Sequence, residues 1–127
     1  MRLAIAAFVS PPGFGHAART CAVLQALRDR LGTVDFHLFT TVPRWFFEAS
    51  LRGEGRLVMH SEEQVDVGLV QHDALREDVI GTVQALAAWD PFEPQRVDRL
   101  ARQLEVLGVR LVLADISPLG LLAADRA

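Results

Sequence analysis

The sequence predicts an α/β fold on a doubly wound parallel sheet, and three observations carry that prediction. The continuous apolar run Leu3 to Val9 and the nearly all apolar stretch Arg110 to Asp115 have the composition of strands covered on both faces. Stretches with apolar residues three or four apart stand between the strands, so strand and helix alternate along the chain. The length, 127 residues, holds one core and has no room for a second domain of ordinary size.

The first strand, Leu3 to Val9, is closed by Ser10-Pro11-Pro12-Gly13. Its opening, MRLAIAAFVS, imitates a secretory signal, but the run is short, has no small-residue cleavage site and leads straight into a helix pattern. Ala17, Cys21, Leu24, Leu27 and Leu31 form the apolar stripe of the first helix, with polar residues between them and Gly32 at its end. Val34 to Thr40, rich in β-branched and aromatic residues, is the second strand. Pro43 opens a short helix carrying Trp45 and Phe46, and Gly53 closes it. Arg56 to His60 is a weaker third strand.

Ser61 to Gln71 has no firm period and is the longest irregular stretch, of the kind that carries function in compact domains. Leu75, Val79, Val83 and Leu86 predict a helix ending near Trp89, before the break Asp90-Pro91-Phe92-Glu93-Pro94. Val97, Leu100, Ala101, Leu104 and Leu107 form the clearest apolar stripe, stopped by Gly108. Arg110 to Asp115 is the fourth strand, and Pro118 starts a helix running to Ala127. The expected strand order is 3-2-1-4. The pattern stops inside its last helix with only four strands, so the segment reads as the front part of something longer.

Composition excludes several classes. Half the residues are hydrophobic and 23% are charged, as in a globular protein. Sixteen acids against thirteen bases give a net charge of -3, without the basic excess that nucleic-acid binding needs. One cysteine forbids an internal disulfide, and the histidines and the thiol show no paired metal-ligand spacing, so a cytoplasmic protein without a metal site is expected. No stretch approaches the roughly 18 apolar residues of a membrane span.

In the expected order the first and fourth strands are neighbours, and ligands bind above their carboxyl ends at the switch point. The loop Ser10 to His16 follows one strand, and Asp115-Ile116-Ser117 follows the other. Topology thus brings His16 and Asp115 into one crevice. Gly13 and Gly15 let the backbone approach a ligand, beside the free N–H groups of the first helix. The positive end of that helix disfavours an imidazolium at His16, and a neutral ring can accept a proton. An aspartate on its other nitrogen would fix the tautomer, which suits the pair to activating an alcohol or water. His16 could instead simply bond its own loop, and Asp115 or Ser117 could cap the helix that begins at Pro118.

Gly13-x-Gly15-x-x-Ala18 formally matches a dinucleotide fingerprint. The acid expected at the end of the second strand is replaced by Thr40-Thr41, so an NAD(P)-binding domain is the weakest reading. Arg44 could meet a 2′-phosphate or be a solvated charge. Trp45, Phe46 and Phe47 are consecutive and cannot all face the core; they either pack on the sheet edge or form an apolar lip. Cys21 reads as a small buried hydrophobe, and His37 and His60 as structural. His72 is left undecided.

Gly13-Phe14-Gly15-His16-Ala17-Ala18-Arg19 resembles the Gly-His loop in the N-terminal domain of two-domain glycosyltransferases of the GT-B fold. Taken with Asp66-Val67-Gly68-Leu69-Val70-Gln71-His72-Asp73-Ala74-Leu75 and Leu113-Ala114-Asp115-Ile116-Ser117-Pro118, it is similar to the glycosyltransferase-like domain found alone in bacteria and fused to a sugar kinase in plant L-arabinokinase. The resemblance spans nearly the whole chain. It implies an acceptor-side Rossmann-like domain of an inverting, metal-independent transferase. A nucleotide-sugar donor, the co-substrate in place of a cofactor, would be held mainly by a C-terminal domain. It also implies His16 as the base for a sugar acceptor hydroxyl and Asp115 as its support. Expected ligand contacts, all within the three motifs, are Gly13, Phe14, Gly15, Arg19, Asp66, Gln71 and Ser117. The segment alone is expected to be inactive, because the donor must be positioned for transfer. The alternative is a non-catalytic sugar or nucleotide-sugar binding module associated with a sugar kinase.

Overall fold

A computed structural model describes residues 2–51 and 56–127. β1 (Leu3–Val9), β2 (Val34–Phe39), β3 (Arg56–Ser61), β4 (Gln71–Asp73), β5 (Arg76–Glu77) and β6 (Val109–Asp115) alternate with α1 (Gly15–Leu31), α2 (Arg44–Ser50), α3 (Val79–Ala88), α4 (Pro94–Val106) and α5 (Pro118–Arg126). Four strands form a parallel sheet in the order β3-β2-β1-β6, with helices on both faces, a Rossmann-like arrangement.

The expected order 3-2-1-4 needs correction in its last place. The strand beside β1 is Val109–Asp115, as the apolar run implied, but it is the sixth in the chain because β4 and β5 precede it. Those two strands form a separate antiparallel hairpin. Its residues, Gln71 to Glu77, are all exposed and five of the seven are polar, so no two-residue apolar alternation announces it. The turn is held by Asp73, which accepts from Leu75 N at 2.9 Å and from Arg76 Nε at 2.7 Å.

β1 is central and needs apolar side chains on both faces. Ile5, Ala7 and Val9 pack with α1 and α2 through Ala17, Cys21, Leu24 and Phe47. Ala6 and Phe8 face the other way, onto Val97, Leu100 and Leu104 of α4 and Leu119 and Ala123 of α5. This strict alternation explains why the continuous apolar run reads as a strand. Phe8 also stacks on Phe39 of β2, ring centroids 4.5 Å apart.

Two helix faces differ from the expected stripes. Leu31, at the end of α1, is half exposed, and the arginine one turn before it, Arg28, is buried with a hydrogen bond to Gln25. Leu75 lies in the hairpin turn, almost fully exposed, because α3 starts only after Asp78, whose side chain accepts from Gly81 N at 2.8 Å. Val79, Val83 and Leu86 then point outward, and Thr82 is the buried residue of α3. Its hydroxyl donates to Asp78 O and accepts from Val70 N, so polar anchoring fixes the helix face. α2 ends at Ser50; Gly53, expected to close it, lies outside the described residues.

Candidate functional site

The carboxyl ends of β1 and β6 meet where Ser10 N donates to Asp115 O at 3.2 Å. From there the chain leaves β1 through Pro11, Pro12 and Gly13, whose φ of +64° is the left-handed conformation that favours glycine. That turn starts α1 at Gly15 and sets His16 in its first turn, facing Asp115. Nδ1 of His16 lies 3.1 Å from Oδ1 of Asp115, across 99 positions of sequence. Both side chains are largely buried, at 25% and 13% exposure.

Asp115 has further partners. Arg19, one turn along α1, donates to Oδ1 at 2.5 Å and to Oδ2 at 3.3 Å, and Thr20 donates to Oδ2 at 3.3 Å. Burial alone would push this carboxyl up. Hydrogen bonds from Arg19 and His16, and their charges, outweigh it and hold the group below the ordinary carboxylate range. The same hydrogen bond and attraction keep the Arg19 guanidinium still more firmly protonated. Asp115 is thus an anion fixed from several sides, and helix capping falls to Ser117, whose hydroxyl accepts from Gly120 N at 3.1 Å.

A cavity of about 500 Å³ opens beside His16, lined by Ser10, Pro12, Gly13, Asp66, Gly68, Leu69, Gln71 and Ile116. Its far wall is the irregular segment 62–70, which folds back over the glycine loop. Ser10 donates to Asp66 Oδ2 at 2.7 Å, and Val67 N donates to Oδ1 at 2.8 Å. Glu63 anchors the start of the segment through Arg99 of α4, 3.1 Å from both carboxylate oxygens. The cavity therefore presents a fixed carboxylate at Asp66, an amide at Gln71 and two apolar side chains, Leu69 from the segment and Ile116 from the turn after β6. Arg19 and Asp115 also border a smaller cavity of about 290 Å³ between α1 and β6.

Of the expected site residues, His16, Asp115 and Arg19 meet directly, and Gly13, Asp66 and Gln71 share the cavity with His16. Gly15 is the first residue of α1. Phe14 turns away from the cavity and stacks on Phe46 of α2, ring centroids 4.8 Å apart, with Trp45 at 5.6 Å. Phe47 is the aromatic that enters the core, while Trp45 is more than half exposed. Ser117 is buried as a cap, and its hydroxyl serves Gly120 rather than the cavity.

Sequence reasoning missed Ser10, Pro12, Thr20, Leu69 and Ile116. Ser10 carried a signal, a hydroxyl at the exit of a strand ending in a crevice; Ile116 carried none, since nothing in its identity announces a φ of +50°. At the end of β2, Thr40 is buried, donating to Val9 O and accepting from Val42 N. Arg44 pairs with Glu48 at 2.7 Å. His60 donates to Val42 O at 2.7 Å, and His37 and Cys21 are buried in the interior, where burial pushes the thiol up. His72 is exposed, 3.9 Å from Asp78.

Among the described residues no three His, Cys, Asp or Glu side chains cluster to hold a metal ion, and no helix is long and apolar enough to cross a membrane. The chain matches no protein-family model, no curated protein and no solved structure, so the reading of the site rests on its own residues and their geometry.

Proposed function

We propose that this chain is the acceptor-binding half of an inverting glycosyltransferase that takes a nucleotide sugar as co-substrate. The observation that carries the reading is the 3.1 Å approach of His16 Nδ1 to Asp115 Oδ1 beside a cavity of sugar-accommodating size. With Asp115 on Nδ1, the lone pair of Nε2 accepts the proton of an acceptor hydroxyl. The hydroxyl oxygen bonds to the anomeric carbon as the bond from that carbon to the nucleoside diphosphate breaks on the opposite face. The diphosphate leaves with the electron pair, and the anomeric configuration inverts. Asp66 and Gln71 supply hydrogen-bonding groups for sugar hydroxyls, and Leu69 and Ile116 supply apolar surface for a ring face. The Gly13 to Gly15 backbone faces the donor phosphates, and a second, C-terminal domain holds the rest of the donor. In the polypeptide that joins this segment to such a domain, His16→Ala lowers kcat by roughly a hundredfold or more, the scale of a lost general base. Transfer at near wild-type rate would refute the assignment.

A second reading, a sugar or nucleotide-sugar binding module without catalysis that serves a sugar kinase, is favoured by one observation: Arg19 occupies both oxygens of Asp115. Titration calorimetry of residues 1–127 separates the two. Tight binding of a sugar or nucleotide sugar by this chain alone supports the module, and weak or absent binding supports the half-enzyme.

A further inference from the structure

Arg19 does more than occupy Asp115. The guanidinium nitrogen that donates to Asp115 Oδ1 at 2.5 Å also lies 3.1 Å from Nδ1 of His16, the same distance that separates Nδ1 from Oδ1. A carboxylate only accepts hydrogen bonds and a guanidinium only donates them. Nδ1 therefore bonds to Asp115 when it carries a proton and to Arg19 when it does not. The guanidinium nitrogen has two hydrogens and can serve Oδ1 and Nδ1 together, so neither state requires Asp115 to move. Thr20 donates to Oδ2 in either state, and Nε of Arg19 does so for as long as the guanidinium stays in place.

The two states differ in what the ring presents at Nε2. With the proton on Nδ1, Nε2 has a free lone pair and can act as a base. With the proton on Nε2, the ring can only donate there. We propose that Arg19 is a positioning residue that sets the tautomer of His16: its bond to Nδ1 keeps part of the population in the Nε2-protonated form, and its withdrawal commits the ring to the form that accepts a proton. The partner able to withdraw is the arginine, since its side chain is 62% exposed and that of Asp115 only 13%. Asp66, the charged group that lines the cavity beside His16, is engaged by Ser10 and Val67 N, leaving Arg19 and Asp115 as the partners of the ring. The catalytic meaning of the device rests on the function proposed above; the tautomer itself does not.

The test is long-range proton–nitrogen correlation NMR of the His16 ring in the 127-residue chain, with the signals assigned by loss in His16→Gln. The wild type should show both neutral tautomers. Arg19→Met, a surface change that keeps much of the side-chain length, should raise the ratio of the Nδ1-protonated to the Nε2-protonated form about fivefold, the scale of one net hydrogen bond. Asp115→Ala should move the ratio the other way. An unchanged ratio in Arg19→Met, or a shift in the same direction in both variants, overturns the proposal. Failure to find sugar transfer or sugar binding removes the function but leaves this ratio as it was measured.

Discussion

A Cβ atom placed on Gly68 would lie 2.6 Å from Cγ of Pro12. The irregular segment that walls the cavity is thus in van der Waals contact with the loop that carries His16, at a residue whose φ is +70°. Both facts demand glycine. Gly68→Ala should destabilise the chain by about 2 kcal/mol, combining left-handed strain with a clash against a proline ring that cannot rotate away. Urea denaturation measures the loss; a change below the error of the method would mean that the segment does not rest on Pro12.

The other end of this wall depends on charge. Glu63 is nearly buried, with Arg99 at 3.1 Å from both oxygens and Arg96 only at 4.0 Å. Arg99→Met keeps the apolar stem of the side chain but strands the carboxylate. A loss of about 2 kcal/mol is expected, below the cost of breaking a fully buried pair because Arg99 is half exposed and Arg96 remains. Equal stability of wild type and variant would reduce the pair to a surface contact.

These two anchors show what the sequence could and could not announce. The apolar runs of β1 and β6 and the stripe of α4 were legible because burial on both sheet faces, or on one helix face, leaves a period. The meeting of His16 with Asp115 was legible because strand order alone places the ends of neighbouring strands together. The hairpin and the true face of α3 were not. Both are set by a few local hydrogen bonds, accepted by the side chains of Asp73 and Asp78 and donated by the Thr82 hydroxyl, which leave no period. The closure of segment 62–70 over the glycine loop depends on Ser10, Asp66 and Gly68; the last two equally suit any solvated loop, and the hydroxyl of Ser10 does not announce which carboxylate it meets.

His37 gives the fold a dependence on pH. Burial pushes its imidazole below the ordinary 6.5, against a smaller upward pull from Asp35, and Nδ1 has no hydrogen-bond partner among the described residues. The unfolded chain therefore binds a proton that the folded chain resists. Stability from the neutral ring is complete above about pH 6.5 and is lost as the pH falls toward the depressed native value. Denaturation at about pH 7.5 and about pH 5.5 should show the wild type losing stability on acidification and His37→Leu losing less. Asp115, whose native pKa is also depressed, adds its own loss only at lower pH, in the carboxylate range. Parallel pH curves for wild type and His37→Leu would exclude the buried ring as the source.

Ile116 follows Asp115 with φ at +50°, a conformation that a β-branched residue takes up only under constraint. The constraint is visible on either side: Asp115 O accepts from Ser10 N, and Ser117 is fixed as the cap of α5. The strain is not repaid by burial, because the side chain is 57% exposed at the rim of the cavity. Asparagine tolerates the left-handed region and keeps a side chain of similar reach. Ile116→Asn should therefore raise stability by about 1 kcal/mol, read as a shift of the urea midpoint at constant slope. If the side chain serves a ligand, the same variant should bind that ligand more weakly while it folds more firmly, which is the trade expected where strain is kept for function. A variant less stable than the wild type would show that the isoleucine packs well enough to offset its backbone, and the strain at this turn would carry no functional meaning.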